Sequence, residues 1–200
     1  MRQGILRRIR SQAGTSLLEV MITVAIGVTV SSVGIAQYTS VRRAMAGDGA
    51  MRVVMGQLNR AQQLATQQRR NIEVQFVGGN WIKLVRHELD GTTTALGAVA
   101  LEGSMQYATI SGVPDTPDNF GNGSAVAFPV GAGNATQEVF TSDGLLVDQN
   151  GNPLNGTIFL SVAGQVTSLR AVTVMGNTGR VRAYRGVASK TGAFVGWTRV

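Results

Sequence analysis

The chain opens with a long apolar run and then changes its hydrophobic period twice. Between residue 17 and about residue 36 the one charged residue is Glu19. About 20 apolar residues, at about 1.5 Å per helical residue, match a hydrocarbon core about 30 Å thick. The run therefore predicts one membrane-spanning helix over residues 15–36.

A helical period continues after this run. Apolar residues recur at spacings of three and four: Tyr38, Val41, Met45, Met51, Val54, Leu58, Ala61 and Ala65. One apolar stripe of this kind predicts an amphipathic continuation of the helix over 37–70, packed on a sheet. Glycine weakens a helix interior by about 1 kcal/mol, so Gly47-Asp48-Gly49 predicts a kink or an unwound turn between a stalk and a head. Four arginines beside or off the stripe are expected to be solvated: Arg52, Arg60, Arg69 and Arg70.

Beyond Asn71 the hydrophobic period becomes two. Ile72, Val74 and Phe76 alternate with polar residues, and a Gly-Gly-Asn turn at 78–80 leads into a second run at 81–89. This pattern predicts a β-hairpin. Further β-like runs lie between turn-forming clusters, at 96–101, 106–110, 125–130, 157–162 and 168–175.

Two segments rich in turn formers, 114–123 and 131–136, predict surface loops. The predicted fold class is α+β: a long N-terminal helix, partly transmembrane, packed on an antiparallel β-sheet head over 71–200. The length of 200 residues suits one such helix and one modest domain. Because the chain contains no cysteine, the head must be stabilised by packing and strand pairing.

A basic leader precedes the apolar run. Four arginines and no acid occur before Gly14, at Arg2, Arg7, Arg8 and Arg10, which favours a cytoplasmic location for the leader. They account for four of the seven net positive charges, which leaves +3. A secretory signal has its cleavage site after the apolar run, whereas here the small-residue bond Gly14–Thr15 lies before it. Cleavage there leaves the helix on the mature protein; an uncleaved signal anchor is the alternative.

The junction Gly-Thr-Ser-Leu-Leu-Glu at residues 14–19 resembles that of type IV prepilins. The resemblance implies cleavage by a prepilin peptidase between Gly14 and Thr15, and N-methylation of Thr15. It also implies a role for Glu19 in filament assembly, where a neighbouring subunit's N-terminal ammonium pairs with this acid, which is otherwise costly in a membrane. Thr15 and Ser16 depart from the Phe and Thr that are common in the family.

Later blocks resemble the GspH/FimT branch of minor pilins and pseudopilins. In chain order they are Ala61-Gln62-Gln63-Leu64-Ala65, Phe140 with Asp143-Gly144, the run Gly156-Thr157-Ile158-Phe159-Leu160, and Gly179-Arg180-Val181-Arg182. The resemblance implies a single-pass protein of the bacterial inner membrane. After assembly it would join other major and minor pilins or pseudopilins in a periplasmic or extracellular filament.

The last quarter of the chain is strongly basic. No acid follows Asp148, and six basic residues do: Arg170, Arg180, Arg182, Arg185, Lys190 and Arg199. This excess predicts attraction of a polyanion. Because strand side chains alternate, a strand after the turn at 176–179 would place Arg180, Arg182 and Tyr184 on one face, with Val181 and Ala183 inward.

The planar guanidinium of arginine can donate two hydrogen bonds to phosphate oxygens, and an adjacent tyrosine ring can stack on an exposed base. This face is therefore expected to bind nucleic acid without reading its sequence. In FimT proteins of natural transformation, a Gly-Arg-x-Arg motif is associated with DNA binding. The resemblance implies such a site at Gly179, Arg180 and Arg182. The surrounding candidates are Arg170, Tyr184, Arg185, Lys190 and Arg199. The alternative is a GspH-like subunit at the tip of a type II secretion pseudopilus, structural and without DNA binding.

The remaining chemistry is sparse. His87 is the one histidine of a chain without cysteine, and the nearby acids are Glu88 and Asp90. An exposed strand histidine is therefore expected rather than a metal ligand. No spacing indicates a catalytic site or a cofactor site. The chain is therefore predicted not to be an enzyme.

Overall fold

The computed structural model describes residues 16–131 and 133–200, with side-chain surroundings for all of these except 33–37, 39 and 40. The chain divides into two compact units, Met1–Thr39 and Ser40–Val200, which are treated separately. The predicted leader and the cleavage and methylation positions, Gly14 and Thr15, lie outside the described residues. These assignments stay predictions.

The helix α1 spans Leu17–Gln68. From Leu17 to Val30 its large apolar side chains are between 49% and 81% exposed; they are Leu17, Leu18, Val20, Met21, Ile22, Val24, Ile26, Val28 and Val30. Within the described part of the chain, no helix has the length and apolar character that crossing a membrane requires. The structure thus does not show the transmembrane segment expected over 15–36.

In the second unit, one face of α1 is buried. The second half of the predicted stripe enters the core, at Met51, Val54, Leu58, Ala61 and Ala65. Val41 and Met45 are instead more than half exposed, so the prediction that these two pack on a sheet is wrong; Tyr38 belongs to the first unit, where its side chain is 63% exposed. For Val41 and Met45 the reason is that the cluster covering the helix begins at Ala46.

The helix continues through Gly47-Asp48-Gly49, so the unwound turn predicted there is wrong. A Cβ atom at Gly47 would lie 2.7 Å from the carbonyl oxygen of Ser168 and 3.4 Å from Cγ of Arg170. The missing side chain therefore lets the helix approach the chain just before a core strand. Tertiary contact, not local helix propensity, accounts for this glycine.

Thirteen strands follow the helix in the described part of the chain. They are β1 Ile72–Val77, β2 Trp81–His87, β3 Thr93–Ala100, β4 Gln106–Tyr107, β5 Val126–Ala127, β6 Pro129–Val130, β7 Gly133–Asn134, β8 Glu138–Phe140, β9 Leu146–Val147, β10 Gly156–Ser161, β11 Arg170–Met175, β12 Arg180–Ala188 and β13 Phe194–Arg199. One sheet has the order β3-β2-β1-β8-β9, and a second has the order β13-β12-β11-β10-β4, with β5 also paired to β10. A separate small pair joins β6 and β7.

All described pairings are antiparallel. The predicted hairpin is confirmed, with Val77 opposite Trp81 across the turn at 78–80. The predicted run at 168–175 begins with a 3₁₀ turn, Val166–Ser168, before β11. The predicted loop at 114–123 contains no helix or strand, whereas that at 131–136 contains β7.

The main core joins the buried face of α1 to both larger sheets. Leu58 and Ala61 share this cluster with Ile72 and Val74 of β1 and with Val172 of β11. The predicted α+β class, with a helix packed on an antiparallel head, is confirmed for the second unit. The head contains two principal sheets, one of which carries the basic C-terminal strands.

Candidate nucleic-acid interface

The strands β11 and β12 divide their side chains between an inner and an outer face. Val172 lies opposite Ala183, and both belong to the core. By strand alternation, Arg170 and Arg185, which are also opposite each other, share this inner side. The outer face carries Arg180, Arg182 and Tyr184. The six basic residues that the sequence placed in one cluster are therefore divided.

On the inner face, Arg170 is fixed by the fold. Its side chain is 1% exposed, and Nε donates to Asp48 Oδ1 at 2.6 Å. The remaining guanidinium nitrogens donate to the carbonyl oxygens of Ala44 at 3.0 Å, Thr167 at 3.1 Å and Leu169 at 2.8 Å. This differs from the exposed ligand role expected for Arg170, because all its donor nitrogens are used inside the protein.

Asp48 also binds the second inner arginine. Arg185 Nη2 donates to Asp48 Oδ2 at 2.8 Å, although the Arg185 side chain is about half exposed. Burial raises the pKa of Asp48, but hydrogen bonds and charge from Arg170 and Arg185 outweigh it and hold the pKa below its ordinary value. One carboxylate thus connects α1 to two strands.

The outer face contains a second carboxylate, Asp118, from the loop at 114–123. Arg182 Nη1 pairs with Asp118 Oδ1, and Thr173 Oγ1 donates to Oδ2 at 2.6 Å. Burial raises the pKa of Asp118. Hydrogen bonds from Thr173, Tyr184 and Arg182 lower it by more than burial raises it, so the pKa lies below its ordinary value. Asp118 therefore stays ionised. Arg182 is 23% exposed, and its Nε is buried without a hydrogen-bond partner among the described residues.

Tyr184 does not have the exposed position expected for stacking on a base. It is 4% exposed and packs with Phe159, Ala171 and Trp197 beneath the outer face. Trp197 is partly exposed, its Nε1 donates to the carbonyl oxygen of Pro114 at 3.1 Å, and its ring lies 5.2 Å from that of Phe194. Trp197 and Phe194 are therefore partly exposed aromatic side chains on this face, and the sequence analysis predicted neither.

Three basic side chains remain available. Arg180 and Arg199 are exposed on the outer face, and Lys190 is exposed in the turn between β12 and β13. Across residues 16–131 and 133–200, none of the three forms an ion pair. We call Arg180, Arg182, Lys190 and Arg199 the outer basic face. The nine residues of β12, at about 3.3 Å each, give it a length of about 30 Å.

The glycine of the Gly-Arg-x-Arg motif has a structural explanation. Gly179 has φ +61°, and a Cβ there would overlap the side chain of Gln62 and the carbonyl oxygen of Gly144. Gln62 Nε2 donates to the carbonyl oxygens of Gly144 at 2.9 Å and Thr178 at 3.1 Å. Three of the blocks that carry the family resemblance therefore meet at one junction. Gly179 positions the start of β12 rather than offering a ligand contact.

The histidine singled out in the sequence lies in the other sheet. His87 Nε2 is 2.9 Å from Glu73 Oε2, and its side chain is partly exposed. It is thus a polar partner of Glu73 and lies apart from the outer basic face.

No protein-family description matches this chain. No curated protein matches it either. Among solved structures, the chain is similar to the minor pseudopilin EpsH from the type 2 secretion system of Vibrio cholerae, with 15% sequence identity and a TM-score of 0.44. The alignment covers 66% of this chain and 91% of that one. A likeness at this level says nothing about the activity or partners of this chain.

Proposed function

We propose that this protein is a pilin-like subunit of a type IV pilus-type filament and that its outer basic face binds DNA during uptake. The observation behind the filament role is the first unit of α1, where every large apolar side chain described from Leu17 to Val30 is at least 49% exposed. A contiguous apolar surface of this kind marks an interface. Packing of neighbouring subunits' helices would cover it.

The predicted processing belongs to the same proposal. A prepilin peptidase would cut between Gly14 and Thr15, Thr15 would be methylated, and Glu19 would pair with a neighbour's N-terminal ammonium. The basic leader and the position of the Gly14–Thr15 bond before the apolar run support this order of events. The subunit would be held in the inner membrane before assembly and lie in a periplasmic or extracellular filament afterwards.

Mass spectrometry of the chain co-expressed with a prepilin peptidase tests the processing. We expect a mature chain that begins at methylated Thr15, and a Glu19→Gln variant that is processed but missing from sheared filaments. Glu102→Gln, an exposed acid in the second unit, is the matched control and should assemble normally. A stable full-length chain would contradict the proposal and favour a signal anchor.

DNA binding is supported by the charge of the outer basic face. Arg180, Lys190 and Arg199 form no ion pair with any described residue, and Arg182 shares its charge with Asp118. Contacts from these side chains to phosphates would release counterions. Four such contacts give a slope of about −3.6 for log affinity against log salt, or about a hundredfold loss between 50 and 200 mM salt.

The full chain, purified in detergent, should bind a fluorescent 30-base-pair duplex with this salt dependence. Arg180→Gln combined with Arg182→Gln should remove most of the binding, as should Arg180→Gln with Arg199→Gln. Arg52→Gln with Arg60→Gln removes the same charge from the exposed side of α1 and serves as the control. Equal affinities in all three double variants would overturn the placement of the site.

A second function follows from other observations on the same strand. Gly179 fits the junction at Gln62, Arg182 is paired with Asp118 and Tyr184 is buried, so the motif also has a use within the fold. We therefore keep a tip subunit of a type II secretion pseudopilus as the alternative. A folded wild-type chain that binds partner pseudopilins and no DNA would select it.

A further inference from the structure

A cleft of about 510 Å³ lies in the second unit where one strand edge is uncovered. The strand β1 pairs with β2 along its whole length, from Ile72 to Val77. On its other side β1 pairs with β8 only as far as Val74, opposite Glu138. The cleft is lined on this side by Glu73, Gln75, Phe76 and Glu138.

The hydrogen-bond pattern of β1 shows which main-chain groups face the cleft. Asn71 accepts from His87 N at 2.9 Å, so the odd-numbered residues of β1 exchange hydrogen bonds with β2. The main-chain N–H and C=O groups of the even-numbered residues then point towards β8. After Val74 the next of these is Phe76, whose N–H and C=O have no strand partner within the described ranges. Such a free edge is a template for another strand.

The lining of the cleft is acidic and aromatic. Glu73 is 7% exposed and is bound by Gln75 Nε2 at 2.9 Å and by His87. Glu138 has no ion pair among the described residues. The hydroxyl oxygen of Tyr107 is buried and has no hydrogen-bond partner among the described residues. The Tyr107 ring packs edge-on against that of Phe76, with 5.3 Å between the ring centroids.

Burial, with a smaller contribution from the charge of Glu73, raises the pKa of Glu138 to about 7. A cation placed against Glu138 would offset the cost of ionising this carboxylate. The cleft is thus complementary in charge to lysine or arginine, in a chain whose net charge is positive.

We propose that this cleft binds an extended segment of a partner protein by β-strand addition, with a lysine or arginine of that segment against Glu138 and Glu73. The N–H and C=O of Phe76 would continue the β1 ladder onto the incoming strand. Main-chain bonds give affinity in this mode, and side-chain pockets give specificity. The site is separate from the outer basic face and does not depend on DNA binding.

A short peptide is the probe. The full chain in detergent at pH 8 is titrated into a labelled five-residue peptide, acetylated and amidated, with a central lysine flanked by valine and threonine. We expect saturable binding and slower hydrogen exchange at the Phe76 amide. Glu138→Gln should weaken binding at least about tenfold, the loss expected for a charged hydrogen bond. Glu102→Gln is the control outside the cleft and should bind as wild type.

Changes in the peptide test the mode of binding without altering the protein. A central glutamate and N-methylation of the flanking valines should each abolish binding. Absence of saturable binding by the lysine peptide would overturn the proposal. Equal binding of the N-methylated peptide, or equally tight binding of spermidine, would also overturn it, because the cleft would then be a cation site without strand addition.

Discussion

The inner and outer faces of β11 and β12 use the same residue type in two ways. On the inner face Arg170 is buried, all its donor nitrogens are bound and Asp48 neutralises it. On the outer face Arg180 is exposed and has no ion-pair partner among residues 16–131 and 133–200, while Arg182, 23% exposed, pairs with Asp118. Charge along the sequence does not distinguish these arginines. Strand alternation and the positions of two distant aspartates do.

The comparison has an energetic consequence. Removing one partner of a buried ion pair leaves an uncompensated charge and costs about 3–5 kcal/mol. A solvated pair contributes about 0–1 kcal/mol. If the inner face serves stability and the outer face serves binding, substitutions on the two faces should change different measured quantities.

The largest effect is expected on the inner face. Asp48→Asn should lower the free energy of unfolding by about 3 kcal/mol, because it leaves the buried guanidinium of Arg170 without an anion. Denaturant unfolding of the full chain in detergent measures this. Glu102→Gln, the exposed control, should change stability by less than about 0.5 kcal/mol. An equally small loss for Asp48→Asn would remove the distinction between the two faces.

The motif glycine gives the next effect. Gly179→Ala should cost about 2–3 kcal/mol, through the positive φ and through overlap with Gln62. Gly192→Ala is the matched control, since Gly192 has φ +83° but open space around it, and should cost about 1 kcal/mol. DNA affinity per folded molecule should be unchanged by Gly179→Ala. A loss of affinity without a loss of stability would show that Gly179 is a ligand contact.

Glu138 differs from Asp48 and Asp118, because it forms no ion pair with any described residue. Its folded pKa of about 7 is raised, so the unfolded chain releases this proton more easily and stability falls as pH rises from about 4.5 to 7. Glu138→Gln should therefore stabilise the protein by about 2 kcal/mol at pH 8 and have little effect at pH 4.5. Asp48→Asn should show the opposite trend in a lower pH window: because the pKa of Asp48 is held below its ordinary value, its destabilisation should be the same at pH 8 and 4.5 and fade only below about pH 4. An equal effect of Glu138→Gln at pH 8 and 4.5 would contradict the assignment of Glu138, and an effect of Asp48→Asn that persists at pH 2 would contradict that of Asp48.

The smallest change in stability is expected for the outer carboxylate. Asp118→Asn should cost about 1–2 kcal/mol: Asp118 is only 8% exposed, but Arg182 is 23% exposed and the new amide oxygen can still accept from Thr173. The same change should raise DNA affinity, because it removes a negative charge and releases Arg182. Fluorescence anisotropy with the 30-base-pair duplex measures this, with Asp143→Asn as an exposed control of equal charge change. Weaker DNA binding after Asp118→Asn would indicate that the Asp118–Arg182 pair is needed as it stands.

Local patterns allowed much of the fold to be predicted. The hairpin of β1 and β2 follows from period-two alternation and the turn at 78–80, and the buried half of α1 follows from the helical spacing. The strands β8 and β9 were missed because three and two residues are too few to show a period. The strand β13 was missed because Gly196 interrupts its pattern.

The candidate site was predictable only in part. Alternation correctly placed Val181 and Ala183 towards the core and Arg180 and Arg182 on the other face. The pairing of Arg170 with Asp48 and of Arg182 with Asp118 joins residues 122 and 64 positions apart, which no local pattern records. The same long-range contacts explain why the glycines around Asp48 did not break the helix.

Cross-linking tests the division of the arginines most directly. The full chain in detergent is bound to duplex DNA that carries photoreactive bases, irradiated, and mapped by mass spectrometry. We predict cross-links in β12, β13 and their turn, over residues 180–199, that disappear at high salt. Cross-links confined to the exposed arginines of α1, at Arg52 and Arg60, or no cross-links from a folded chain, would contradict a DNA-binding outer face.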